Sequence, residues 1–186
     1  MPDEANLVAT EAGLVPEGDG WFVLNARQAH WEEHPSFGRY TSFEHPEHRF
    51  RELGFNVSVL EPGQPNCMYH GEDAEEDFLV LAGECLLLVE GEERRLREWD
   101  FVHCPPWTEH VFVGAGTTPC LILAVGTRRP ADVVYPVDDV ALRHGAGVET
   151  ETDTGREAYA RFPKAVATPY RDGDLPEPGE RYSARR

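Results

Sequence analysis

The chain has 186 residues, 40% of them hydrophobic and 27% charged, with 34 acids against 17 bases and a formal charge of −17. That length suits one domain with short extensions, and so negative a surface repels phosphates, so neither nucleic acid nor an anionic membrane is expected as a partner. The longest apolar stretches, around Phe78–Ala82, Cys85–Val89 and Cys120–Val125, fall far short of the roughly 20 residues a membrane-crossing helix needs.

Residues 1–20 are acidic, without the basic start or apolar stretch of a secretory signal. They are read as a flexible segment of a soluble, cytoplasmic protein. Cys67, Cys85, Cys104 and Cys120 are accordingly expected as reduced thiols, packing as small buried hydrophobes. A zinc site joining Cys67 and His70 to His103 and Cys104 is disfavoured, because adjacent strand residues point to opposite faces.

Trp21–Leu24 reads as a strand, followed by a polar stretch rich in His and Glu up to Glu52. Within it, His30-Trp31-Glu32-Glu33-His34 matches the H-x-x-E-H zinc-peptidase pattern, which needs a helix that Pro35 would end at once. His30, His34, His45 and His48 are therefore expected on an exposed loop.

From Phe55 onward short strands alternate with turn residues. Phe55–Leu60 stops at Glu61-Pro62-Gly63, and Phe78–Leu81 and Cys85–Val89 flank Ala82-Gly83-Glu84. Arg94–Arg97, Phe101–Cys104, His110–Val113 and Cys120–Val125 follow. This spacing predicts an all-β antiparallel sandwich or barrel over residues 21–135. Residues 136–186 are expected to form an extension with short helices at Val137–Arg143 and Gly155–Phe162, and a loose tail over 171–186.

Two stretches resemble the paired motifs of the cupin superfamily. The first motif has a histidine pair, a glutamate and a closing glycine, matched here by His70, Glu72, Glu76 and Gly83, with Glu72 where the family usually has its second His. The second is matched by Pro105 and His110 at the expected spacing, although Trp99, Trp107 and Gly114 replace two glycines and an Asn. The resemblance implies an all-β cupin fold, a jelly-roll-like antiparallel barrel, over roughly residues 55–126 and flanking strands.

It further implies one divalent transition metal (Fe, Mn, Zn, Ni or Co) on His70, Glu76 and His110, with Glu72 as fourth ligand or general base. Even spacing lets His70, Glu72, Glu76 and Phe78 share the barrel interior, with Asp73, Glu75 and Asp77 outside. A carboxylate at Glu72 adds negative charge and favours harder ions. His103 is either a satisfied barrel histidine or a proton shuttle beside a substrate, and Tyr69, Trp107 and Phe112 are candidates for aromatic pocket walls or core.

Two functions follow. One is a metal-dependent enzyme, dioxygenase- or isomerase-like, acting on a small organic molecule; the other is a non-catalytic cupin that captures a metal or small ligand for sensing, storage or delivery. A homodimer is expected from the resemblance, with the Trp21–Leu24 strand contributing.

Overall fold

Period-two alternation along Glu76–Ala82 sets the centre of the fold. In the computed structural model, which describes residues 3–128 and 131–177, Phe78, Val80 and Ala82 are buried while Asp77, Leu79 and Leu81 are only partly covered. In chain order the elements are β1 (Asn6–Thr10), β2 (Gly13–Glu17), β3 (Trp31–His34), β4 (Gly38–Thr41), β5 (Leu53–Leu60), β6 (Gly71–Glu72), β7 (Glu76–Ala82), β8 (Glu84–Val89), β9 (Glu92–Arg97), β10 (Phe101–Cys104), β11 (His110–Ala115), β12 (Cys120–Thr127), β13 (Val133–Val134), α1 (Asp139–Arg143), α2 (Gly155–Ala158) and β14 (Val166–Thr168).

Two sheets enclose the core. The larger runs β10-β7-β12-β5-β4-β3-β14 and the smaller β11-β8-β9, with all neighbours antiparallel. Between them Leu60, Phe78, Val80, Leu87, Phe112 and Ile122 form one buried cluster with Cys85, Cys104 and Cys120. All four cysteines are free thiols, and these three serve as buried hydrophobes. The turn from β7 to β8 needs Gly83: its φ is +73°, and a Cβ there would lie 2.5 Å from the Pro119 carbonyl oxygen. Every strand expected between Phe55 and Val125 is present, so the all-β reading holds.

The flanks differ from expectation. Residues 6–17, expected to be loose, form the β1–β2 hairpin. Trp21–Leu24 is not a strand; Trp21 makes an isolated bridge to Glu4, and Trp21 and Val23 are 53% and 79% exposed. Beyond the barrel, α1 and α2 fall inside the two expected helices but are shorter, and Ala141 of α1 packs with Ala146 against Leu88, Val111 and Val113. Tyr170 and Leu175 pack against Trp31, Val57 and Val59 of the larger sheet. Asp174 forms a buried ion pair with Arg39 of β4. The start of the expected tail is thus fixed; the rest, beyond residue 177, lies outside the described residues.

Candidate metal centre

A cavity of about 780 Å³ opens between the two sheets and the C-terminal extension. His70, Glu76, Phe78 and His110 line it, together with Asn56 and Ser58 of β5, Tyr40 of β4 and Ala124 of β12. Tyr159, Phe162 and Lys164 bring the extension into the wall. Tyr159 is fixed there by its hydroxyl, which accepts from the Met68 backbone N–H at 3.0 Å.

Backbone pairing places the two histidines side by side. The His70 N–H donates to the His110 carbonyl at 3.2 Å and the His110 N–H to the His70 carbonyl at 2.9 Å. Directly opposed residues carry their side chains on the same face, and the ring centroids lie 5.3 Å apart. Each ring is held by the same device: Nδ1 of His70 lies 2.9 Å from the Met68 carbonyl, and Nδ1 of His110 lies 2.9 Å from the Thr108 carbonyl. A carbonyl oxygen only accepts, so both Nδ1 atoms carry protons, and Nε2 is the atom whose lone pair each ring offers in its neutral form. Carbonyl-anchored histidines of this kind are the usual arrangement of metal ligands.

Glu76 completes the set from β7. Its Oε2 is 3.4 Å from His110 Nε2 yet makes no hydrogen bond of good geometry, although it is buried. An orphaned buried carboxylate oxygen is costly, and this one stands beside two imidazoles of fixed tautomer. Two imidazoles and one carboxylate are a donor set for borderline transition ions.

The local charges are tightly linked. Burial works against charge on His110, but hydrogen bonds to Cys104 and Glu76 outweigh it and raise its pKa to about 10. His70 is pushed down, by burial first and then by repulsion from His110. Burial would raise the Glu76 pKa, yet the close approach of the His110 ring and the charges of both histidines bring it below the ordinary carboxylate value.

The other expected site residues lie elsewhere. Glu72 ends β6 opposite Val133 and is not among the residues lining the cavity. Strand parity does not carry from His70 to Glu76, because residues 73–75 interrupt the ladder between β6 and β7. His103 lies outside the cavity: its side chain is 48% exposed and its Nδ1 is 2.8 Å from Asp77 Oδ1 across β10 and β7. Tyr69 and Phe112 are core residues and Trp107 is 49% exposed, so none of the three walls the cavity.

His34, expected on an exposed loop, is buried on β3 with Nε2 2.8 Å from the Pro163 carbonyl and lines the cavity. A strand under His34 also removes the helix that an H-x-x-E-H zinc site needs. Among the described residues, two groups bring their potential ligand atoms within 4.8 Å of one another: His45, Glu47 and His48, and the outward Glu75, Asp77 and His103. Sequence reasoning missed the cavity residues Tyr40, Asn56, Ser58 and Tyr159. Only the polar positions of β5, Asn56 and Ser58, carried a signal.

Comparison with known proteins follows the same outline. The profile of the Cupin domain family matches residues 56–126. A protein put forward as a sugar phosphate isomerase in Acidithiobacillus ferrooxidans is 29% identical, over 45% of this chain and 55% of that one, with a TM-score of 0.42. A sugar phosphate isomerase from a cupin superfamily of Silicibacter pomeroyi is 26% identical, over 48% and 64%, with a TM-score of 0.42. The polyketide cyclase RemF from Streptomyces resistomycificus is 16% identical, over 70% and 82%, with a TM-score of 0.46. The matched region thus spans under two thirds of the two isomerase chains. No curated protein matches the chain.

Proposed function

From the premise that the chain belongs to the cupin superfamily, through its cupin domain at residues 56–126, we propose that it holds one divalent transition ion on His70, Glu76 and His110 and acts on a small organic molecule in the adjoining cavity. The observation that carries this reading is the buried, unsatisfied Oε2 of Glu76 beside two histidines anchored through Nδ1. Such an ion, when bound, polarises an oxygen of the substrate as a Lewis acid.

The chain's own groups do the rest. The Met68 and Thr108 carbonyls keep both rings in one tautomer. Phe78, packed edge-on against His110 at 5.2 Å, keeps water from that side of the ring. Tyr40, Asn56 and Ser58 offer hydrogen-bonding groups from the wall, enough to orient a polar molecule. Glu72 and His103 have no part in this scheme, since neither lines the cavity.

The test is the metal content of the untagged protein, purified without chelator, beside His110→Ala. Near-stoichiometric Fe, Mn, Ni, Co or Zn that is lost in the variant supports the reading. Absence of metal, even after anaerobic reconstitution with Fe(II), overturns it. Turnover of candidate substrates then separates an enzyme from a capture protein, in which a tightly bound molecule would stay unchanged. We also propose a homodimer, which the exposure of Trp21 and Val23 supports; a monomer mass in light scattering at micromolar concentration would end that proposal.

A further inference from the structure

The charge around the cavity mouth is opposite to that of the chain. Overall the acids outnumber the bases two to one, 34 to 17, yet Arg49, Arg128, Arg156 and Lys164 all line the cavity. Lys164 is the single lysine of the sequence. Three carboxylates share that lining, and none is ion-paired with Arg49, Arg156 or Lys164. Glu32 accepts from the Tyr40 hydroxyl at 2.8 Å. Glu44 accepts from Arg128 Nη2 at 2.6 Å and from the Phe50 N–H at 2.7 Å, and Glu76 faces His110. Arg128 is therefore neutralised, whereas Arg49, Arg156 and Lys164 have no ion-pair partner among the described residues.

Three unneutralised cations in one cavity lining, all of them exposed, raise a positive potential there against the repulsion of the remaining surface. A neutral ligand gains nothing from that arrangement; an anion gains charge-assisted hydrogen bonds from both arginines and the ammonium. We infer that Arg49, Arg156 and Lys164 form a cationic rim that receives the anionic end of the substrate, a small organic carboxylate or phosphate ester. The inference rests on the proposed reading of the cavity as the substrate site and adds the chemical class of what enters it.

A lone lysine makes the test direct. Acylation of the Lys164 amine by an activated acetate ester is followed by mass spectrometry, with the N-terminal amine as internal reference. Benzoate and phenyl phosphate are the anionic probes, and benzyl alcohol is the neutral one. At about twice its Kd an anionic probe should slow modification of Lys164 about threefold by mass action, while benzyl alcohol leaves the rate unchanged. The protection should be lost in Arg49→Ala and Arg156→Ala and kept in Arg95→Ala. The stronger of the two anions identifies carboxylate or phosphate.

Equal protection by benzyl alcohol, or none by either anion, overturns the rim. Protection that vanishes in His110→Ala overturns it too, because the anion would then sit on the histidine–carboxylate centre. Protection in wild-type protein that holds no metal even after reconstitution leaves the rim standing while the metal reading falls.

Discussion

Glu75 and Glu76 are neighbours in sequence with opposite surroundings. Glu76 enters the cavity beside His110, while Glu75 is exposed and groups with Asp77 and His103 on the outer face. Glu76→Ala should therefore weaken metal retention by at least about tenfold, the lower end of what even supporting groups cost when removed. Glu75→Ala should leave it unchanged. Competition against a chromogenic chelator measures both, and the reverse order would mean that β7 presents its other face. At this scale the sequence was informative where a motif fixed a spacing: His70, Glu76 and His110 all reached one cavity. Glu72 is off the cavity lining although it precedes the break at residues 73–75 and shares parity with His70, so alternation alone does not decide its direction. It left His103 undecided because both faces of Phe101–Cys104 are apolar, and only pairing with Asp77 shows which one looks out.

Among the elements, β5 shows how pattern and position part company. Its alternation was legible, but the apolar residues Val57 and Val59 pack outward against Trp31, Tyr170 and Leu175, while Asn56 and Ser58 line the cavity. A binding cavity reverses the usual sense of inside: its wall can be polar because the space is wet or filled by ligand, and the hydrophobic face then needs a cover on the other side. The cover is the C-terminal segment, which carries too few apolar residues to read as a packing element. β3 and β4 were missed for a related reason. Trp31-Glu32-Glu33-His34 buries only its two ends, a pattern too short and too polar to show period two. β8 was found because it is apolar from Cys85 to Val89, and the reason is that both its faces are covered: Cys85 and Leu87 face the barrel core, and Leu88 packs with Ala141 and Ala146.

Across the whole molecule, a buried ion pair ties the segment before residue 178 to the barrel. Arg39 and Asp174 have side chains only 5% and 4% exposed, and Arg39 also donates to the Pro169 carbonyl at 3.1 Å and lies over the Trp31 ring. Asp174 is shared with Arg171 Nε at 3.2 Å. Between this anchor and α2 run Phe162, which lines the cavity, and β14, which pairs with β3. Asp174→Ala leaves the Arg39 guanidinium buried without its counter-charge, a change that costs about 3–5 kcal/mol. In urea the unfolding midpoint should fall accordingly at an unchanged slope. Because the released segment also covers Val57 and Val59, amide exchange should quicken across β14 and β3 more than in β8, which packs away from it. Replacing the pair by apolar residues, Arg39→Met with Asp174→Leu, should recover part of the loss, since packing then substitutes for a charge that no longer has to be buried. Failure of Asp174→Ala to lower the midpoint would mean that the apolar contacts of Tyr170 and Leu175 alone hold the segment, and that the ion pair merely satisfies charges already placed by them.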